Sequence, residues 1–316
     1  MKLLQLLFFI ITMIVSSSVY AQSWTNLTIA NLNCKCFVNN PKAPSNYGVI
    51  ILHGMVVNAT NKFQGVDAII EQSTADVHNP NSMKIMMDKF AADNAFIVLP
   101  AAKLKKSKKQ NVSVWNFDNN DGGTERDNII ALTNLMHSPP YNIKKIFLMG
   151  GSAGAVMTHN VAKYLINNPK TIKKETLAGI VIADGISSDL ISSSKDNAPS
   201  IVKKCCEHLN YDINKLKVKS LANLFRLPPK CYTADNIAGV GKLPWTIPTL
   251  ILYSKNDPYG PDEYKLKFAN ALKEKESPKG IIKIKASGTG HQPWGQGQLD
   301  IVKFINFLTN NKRKFK

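Results

Sequence analysis

Short apolar runs alternate along the chain with longer stretches whose apolar residues recur every three to four positions. Tyr47 to Leu52, Ala95 to Pro100, Ile143 to Met149, Leu177 to Ala183, Ile247 to Ser254 and Gly280 to Ala286 are the apolar runs, and their turn-residue borders make them buried strands. Residues 23 to 38 alternate loosely and suit one or two edge strands, followed by turns at Asn39-Asn40-Pro41 and Ala43-Pro44-Ser45-Asn46. Helical spacing appears in Asn81 to Asp93, in Thr124 to Leu135 with Thr124 as N-cap, and in Ala153 to Ile166, Pro261 to Lys273 and Gln298 to Leu308. The methionines at 83, 86 and 87 read as core packing. Lys103 to Gln110 reads as a basic, exposed loop. Strands alternating with helices predict an α/β fold with a mostly parallel central sheet and helices on both faces. The stretch from Ile186 to Trp245 breaks the rhythm with polar runs, Pro228-Pro229 and three cysteines, and reads as a cap inserted between core strands.

The first residues change the picture of where the protein works. Met1 and Lys2 precede an apolar run from Leu3 to Val15, and small residues follow up to Ala21. That is the layout of a cleavable signal peptide over residues 1–21, so a secreted or periplasmic protein is expected, with residues 22–316 as a single domain. The formal charge of +18 comes from dispersed lysines. It reads as a solvated lysine surface, with attraction to an anionic wall, membrane or polymer as the alternative. Nucleic acid is disfavoured as a partner, because export removes it and no recognised binding motif occurs. Cys34, Cys36, Cys205, Cys206 and Cys231 are disulfide candidates in an exported chain, with Cys231 placed to pair Cys205 or Cys206; their spacing does not match a zinc site. Asn26, Asn58 and Asn111 lie in N-x-S/T sequences.

The candidate chemistry centres on Gly150-Gly151-Ser152-Ala153-Gly154, a Gly-x-Ser-x-Gly pattern between a strand and a helix. Such a turn is so sharp that glycine is needed at its flanks, and it pushes the serine hydroxyl out above the sheet. A serine needs a base to take its proton and a carboxylate to orient that base. His291, in a glycine-rich loop between the last strand and the last helix, is the expected base. Asp257, after the preceding strand, is the expected acid, with Asp184 at the end of an earlier strand as runner-up. The strand ending at Leu52 runs into His53-Gly54-Met55. The Met55 N–H, with that of Ala153, is placed to receive the oxyanion of a tetrahedral intermediate. Trp294, close to His291, is a candidate pocket wall. This chemistry calls for no metal and no organic cofactor.

Leu52-His53-Gly54, Trp115-Asn116-Phe117, Gly122-Gly123, the Ser152 pentapeptide, Asn256-Asp257 and Gly288-Thr289-Gly290-His291 occur in a familiar order and spacing. Across residues 45 to 310 the chain resembles α/β-hydrolase serine esterases, most of all the secreted polyhydroxybutyrate-depolymerase and feruloyl-esterase group. The resemblance implies an α/β-hydrolase fold and places Trp115 near the substrate pocket. It departs from the group in having Met55 where a cysteine often follows the His-Gly, and in showing no polymer-binding module after a linker. The expected activity is hydrolysis of a small or oligomeric ester, such as polyhydroxyalkanoate oligomers or carbohydrate esters. A serine peptidase or amidase on the same fold and a catalytically silent binding protein are the alternatives.

Overall fold

The computed structural model describes residues 24–106, 111–115, 122–169, 177–185, 233–259 and 262–310. Its strands are β1 (Thr25–Ile29), β2 (Leu32–Phe37), β3 (Gly48–Leu52), β4 (Val56–Val57), β5 (Phe96–Pro100), β6 (Leu104–Lys106), β7 (Asn111–Ser113), β8 (Ile146–Gly151), β9 (Gly179–Ala183), β10 (Thr249–Lys255) and β11 (Ile282–Thr289). Its helices are α1 (Gln64–Thr74), α2 (Lys84–Ala92), α3 (Gly122–His137), α4 (Ala153–Asn167), α5 (Ala234–Ala238), α6 (Asp262–Lys275) and α7 (Gln298–Thr309). One eight-stranded sheet runs in the order β1-β2-β5-β3-β8-β9-β10-β11. Strand β2 is antiparallel to both of its neighbours, and every pairing from β5 to β11 is parallel.

The apolar runs are buried on both faces because successive side chains on a strand point to opposite sides. Ile50, Leu52, Leu148, Ile180 and Ile182 join one core with residues of α3, α4 and α6. Val49, Ile51, Phe147, Met149 and Val181 join the other with residues of α1, α2 and α7. The sheet is thus sandwiched between two helical layers, as the pattern predicts. Deleting a central side chain such as Leu148, fully buried, would cost about 2–5 kcal/mol.

Four expectations are corrected or sharpened. Helix α1 is absent from the elements that the sequence pattern predicts; it contributes Val66 and Ile69 to the second core. Helix α3 starts at Gly122, so Thr124 lies inside it and is not the N-cap. Leu104 to Lys106 of the basic loop form a strand, because β6 and β4 both pair with β7 in a second, three-stranded sheet that includes Val56, Val57 and Val112. Cys34 and Cys36 are free thiols. Period-two geometry sends both into the first core, where burial pushes each thiol up to about 12.

The expected signal peptide, residues 186–232 of the expected cap, and Cys205, Cys206 and Cys231 lie outside the described residues. Residues 233–245 are part of the body. Ile237, Ala238, Val240 and Trp245 are buried in the first core. Trp245 stacks on His159 of α4 with ring centroids 5.7 Å apart.

Candidate active site

The parallel strands β8, β9 and β10 end side by side, and each is followed by a left-handed residue that lifts the chain out of the sheet plane. These residues are Ser152 (φ 54°), Asp184 (φ 51°) and Asn256 (φ 53°). A non-glycine residue in that region is strained by about 1–3 kcal/mol and persists only where its surroundings enforce it. At Ser152 the enforcement is visible. Its N–H donates to Ala183 O at 2.8 Å, tying the turn to β9. A Cβ on Gly150 would lie 2.2 Å from Gly154 O, and one on Gly154 would lie 2.2 Å from Leu52 O. The two glycines let β8, α4 and the end of β3 close upon one another.

That closeness brings the loop after β3 to the serine. A Cβ on Gly54 would stand 3.4 Å from Ser152 Cβ. Met55, next in sequence, is 55% exposed. Behind the loop, His53 is buried and fixed: its Nε2 accepts from Ala102 N–H at 3.1 Å, so Nδ1 carries the proton and donates to Gly54 O at 2.6 Å. Burial lowers this imidazole from 6.5 to about 4, only partly opposed by the Gly54 bond. Trp115 lies against the same ring and donates its indole N–H to His53 O at 2.8 Å.

The loop after β11 brings His291 to the same end. Gly288 (φ 131°) and Gly290 (φ 73°) give it conformations closed to other residues. Gly290 N–H donates to Lys255 O at 2.7 Å. His291 Nδ1 lies 2.8 Å from Asp257 Oδ2. With a carboxylate opposite it, Nδ1 is the protonated nitrogen, leaving Nε2 as the one that can accept. Asp257 also accepts the Tyr259 N–H at 2.8 Å and a hydrogen bond from Lys265 Nζ. Burial alone would push the Asp257 carboxyl up. The bonds from Lys265, His291 and Tyr259, with the attraction of the imidazole, outweigh it and hold the group below the usual carboxylate range.

The loop beyond His291 packs on the serine turn, since a Cβ on Gly151 would meet Pro293 Cβ at 2.9 Å and Trp294 at 3.0 Å. Among the described residues, no hydrogen bond joins Ser152 Oγ to His291. Such contacts are commonly long before substrate binds. The structure therefore joins His291 to Asp257 directly and sets Gly54 and the His291 loop against the serine turn.

Trp115 and Trp294 are 1% and 4% exposed; Trp115 packs beneath the His53 loop and Trp294 against Gly151. Tyr259, which sequence reasoning passed over, is 68% exposed and meets the His291 ring edge to face at 4.8 Å. Its only sequence signal was its place two residues after Asp257. Asp184 does not reach His291 by hydrogen bond; its carboxylate accepts from Ser254 N–H at 2.5 Å, Ser254 Oγ at 2.6 Å and Lys265 Nζ at 2.8 Å. Asp184, Asp257 and His291 present ligand-type atoms within 4.8 Å of one another. The Lys265 ammonium already bonds both carboxylates, which makes this cluster an ion-pair network and not a cation site.

No protein-family model and no curated protein sequence matches the chain. Solved structures do. An acetyl xylan esterase from Aspergillus awamori superposes with a TM-score of 0.53 at 14% identity, covering 90% of this chain and 99% of that one. TT1662 from Thermus thermophilus superposes with a TM-score of 0.51 at 15% identity, covering 91% and 98%. Likeness at that identity speaks to architecture alone. With the sheet order and the strained strand-to-helix turn at Ser152, it gives the chain an α/β-hydrolase fold.

Proposed function

We propose that the protein is an exported serine esterase. Ser152 Oγ attacks the ester carbonyl while His291 Nε2 takes its proton. Asp257 holds the imidazole in the required tautomer and stabilises the imidazolium that forms. The N–H groups of Met55 and Ala153 receive the oxyanion, each worth about 3 kcal/mol of barrier. The imidazolium then passes its proton to the leaving alcohol, and a water activated by the same histidine releases the acid. Tyr259, exposed and edge to face with the His291 ring, is the nearest aromatic side chain that a bound ester could meet.

The observation that carries the reading is the His291–Asp257 pair at 2.8 Å, carried by the loop that packs on the Ser152 turn. The fold likeness to a fungal acetyl xylan esterase makes short-chain carbohydrate esters the first substrates to try, with polyhydroxyalkanoate oligomers beside them. Ser152→Ala should lower p-nitrophenyl acetate and butyrate turnover by about 10⁴-fold or more while leaving the unfolding midpoint within a few degrees of wild type. Ester turnover retained by a folded Ser152→Ala protein would remove the mechanism.

A further inference from the structure

Lys265 is a lysine where a helix facing an apolar core would ordinarily carry none. It is 3% exposed, and its ammonium lies between the Asp184 and Asp257 carboxylates, whose side chains are 0% and 1% exposed. Lysine is almost never this buried unless paired. We propose that Asp184, Lys265 and Asp257 work as one charged unit, in which Asp184 is a positioning residue that supplies the net negative charge felt by His291 without touching it.

Asp257 Oδ2 receives both Lys265 Nζ and His291 Nδ1, so the acid of the pair is shared with a cation before any reaction starts. Taken alone, Lys265 and Asp257 cancel, and the imidazolium formed in the transition state would meet no net counter-charge. Asp184, with an oxygen within 4.8 Å of the His291 ring nitrogen, restores a single net negative charge. Without Lys265, two close carboxylates would drive a proton onto one of them and compete for the His291 bond. Asp184 suits the part because its other acceptor positions are filled by Ser254 N–H and Oγ, and Ser254 Oγ also lies 3.1 Å from Gln292 O, next to the histidine. Among the described residues, the charged and titratable groups gathered at His291 are Asp257 and Tyr259 from the loop after β10, Asp184 from the end of β9, and Lys265 from α6 behind the two carboxylates.

The inference rests on His291 being the base of the proposed esterase, and its test reads the histidine first without any substrate. NMR titration of the His291 ring in the full chain, assigned with His291→Asn, should move down by about one pH unit in Asp184→Asn. In Asp184→Asn/Lys265→Gln the net charge is restored, and the titration should return to within a few tenths of a unit of wild type. The kcat/KM for p-nitrophenyl acetate should fall about tenfold in the single variant, with its acid limb at lower pH, and recover in the double. A structural role alone would predict a double variant at least as impaired as the single. An unmoved titration in Asp184→Asn, or a double variant that stays displaced, overturns the proposal. Should Asp184→Asn fail to fold, Asp184→Ser takes its place with the same expected downward shift, and an unmoved His291 titration there overturns the proposal. Failure of the esterase reading would show separately, as wild-type protein without ester turnover.

Discussion

His53 does its work without being exposed. Its ring is buried, a Cβ on Gly65 would sit 2.3 Å from its Nδ1, and its two nitrogens are committed to Ala102 N–H and Gly54 O. In a trans peptide the N–H points opposite to the C=O. Holding the Gly54 carbonyl therefore fixes the direction of the Met55 N–H, the group proposed to bind the oxyanion. The ring is held neutral, and protonation would destroy the Ala102 bond. Between pH 6.5 and about 4 the unfolded chain binds a proton at His53 that the folded chain refuses, so stability falls as pH drops through that window. The loss from this group amounts to about 3 kcal/mol. Urea unfolding at pH 7 and pH 4 should show His53→Gln losing about that much less than wild type over the interval; equal losses would contradict the buried neutral ring. The nearness of the candidate serine, acid and histidine could be read from residue type, order and place at strand ends. The burial of Trp115, Trp294 and Lys265 could not, because an isolated tryptophan or lysine carries no sign of which way its side chain faces.

At the scale of elements, the serine turn exists because three backbones meet where side chains would not fit. Gly154 is the tightest contact, with a Cβ there 2.2 Å from Leu52 O and 2.7 Å from His53 O. Those atoms are backbone at the end of β3, so they can give way only by moving the strand. Gly154→Ala should cost about 1–3 kcal/mol through overpacking. By shifting the Gly54–Met55 segment against Ser152, it should also slow ester turnover about 10²-fold. Thermal unfolding alongside kcat measures both, and wild-type turnover in a destabilised variant would uncouple the turn from the site. The strands and most helices were legible because their apolar periods are unambiguous. Helix α1 was not, since its buried set of Gly65, Val66, Ile69 and Ser73 mixes small and polar residues into the apolar stripe. The three-stranded sheet escaped notice because β4 is only two residues long and β6 is mostly exposed.

Across the whole molecule, the sheet order turns a sequence spread over more than a hundred positions into one site. Strands β8, β9, β10 and β11 are neighbours, so Ser152, Asp184, Asp257 and His291 arrive at one edge from four consecutive strand ends. Parallel α/β sheets present their reactive groups at the carboxyl ends of the strands, where the crossovers leave a crevice. The Lys265 bridge shows what topology adds to sequence order: it joins the two candidate acids, 73 positions apart by number, through a helix that follows the second. Sequence order alone left Asp184 and Asp257 as competitors, and the fold makes them partners. Activation of Ser152 as a nucleophile is tested by treating the folded protein with a fluorophosphonate and mapping the adduct by peptide mass spectrometry. A single stoichiometric adduct should form on Ser152 and be lost in Ser152→Ala; a folded protein left unlabelled, or labelled at another residue, would show that Ser152 is not an activated nucleophile.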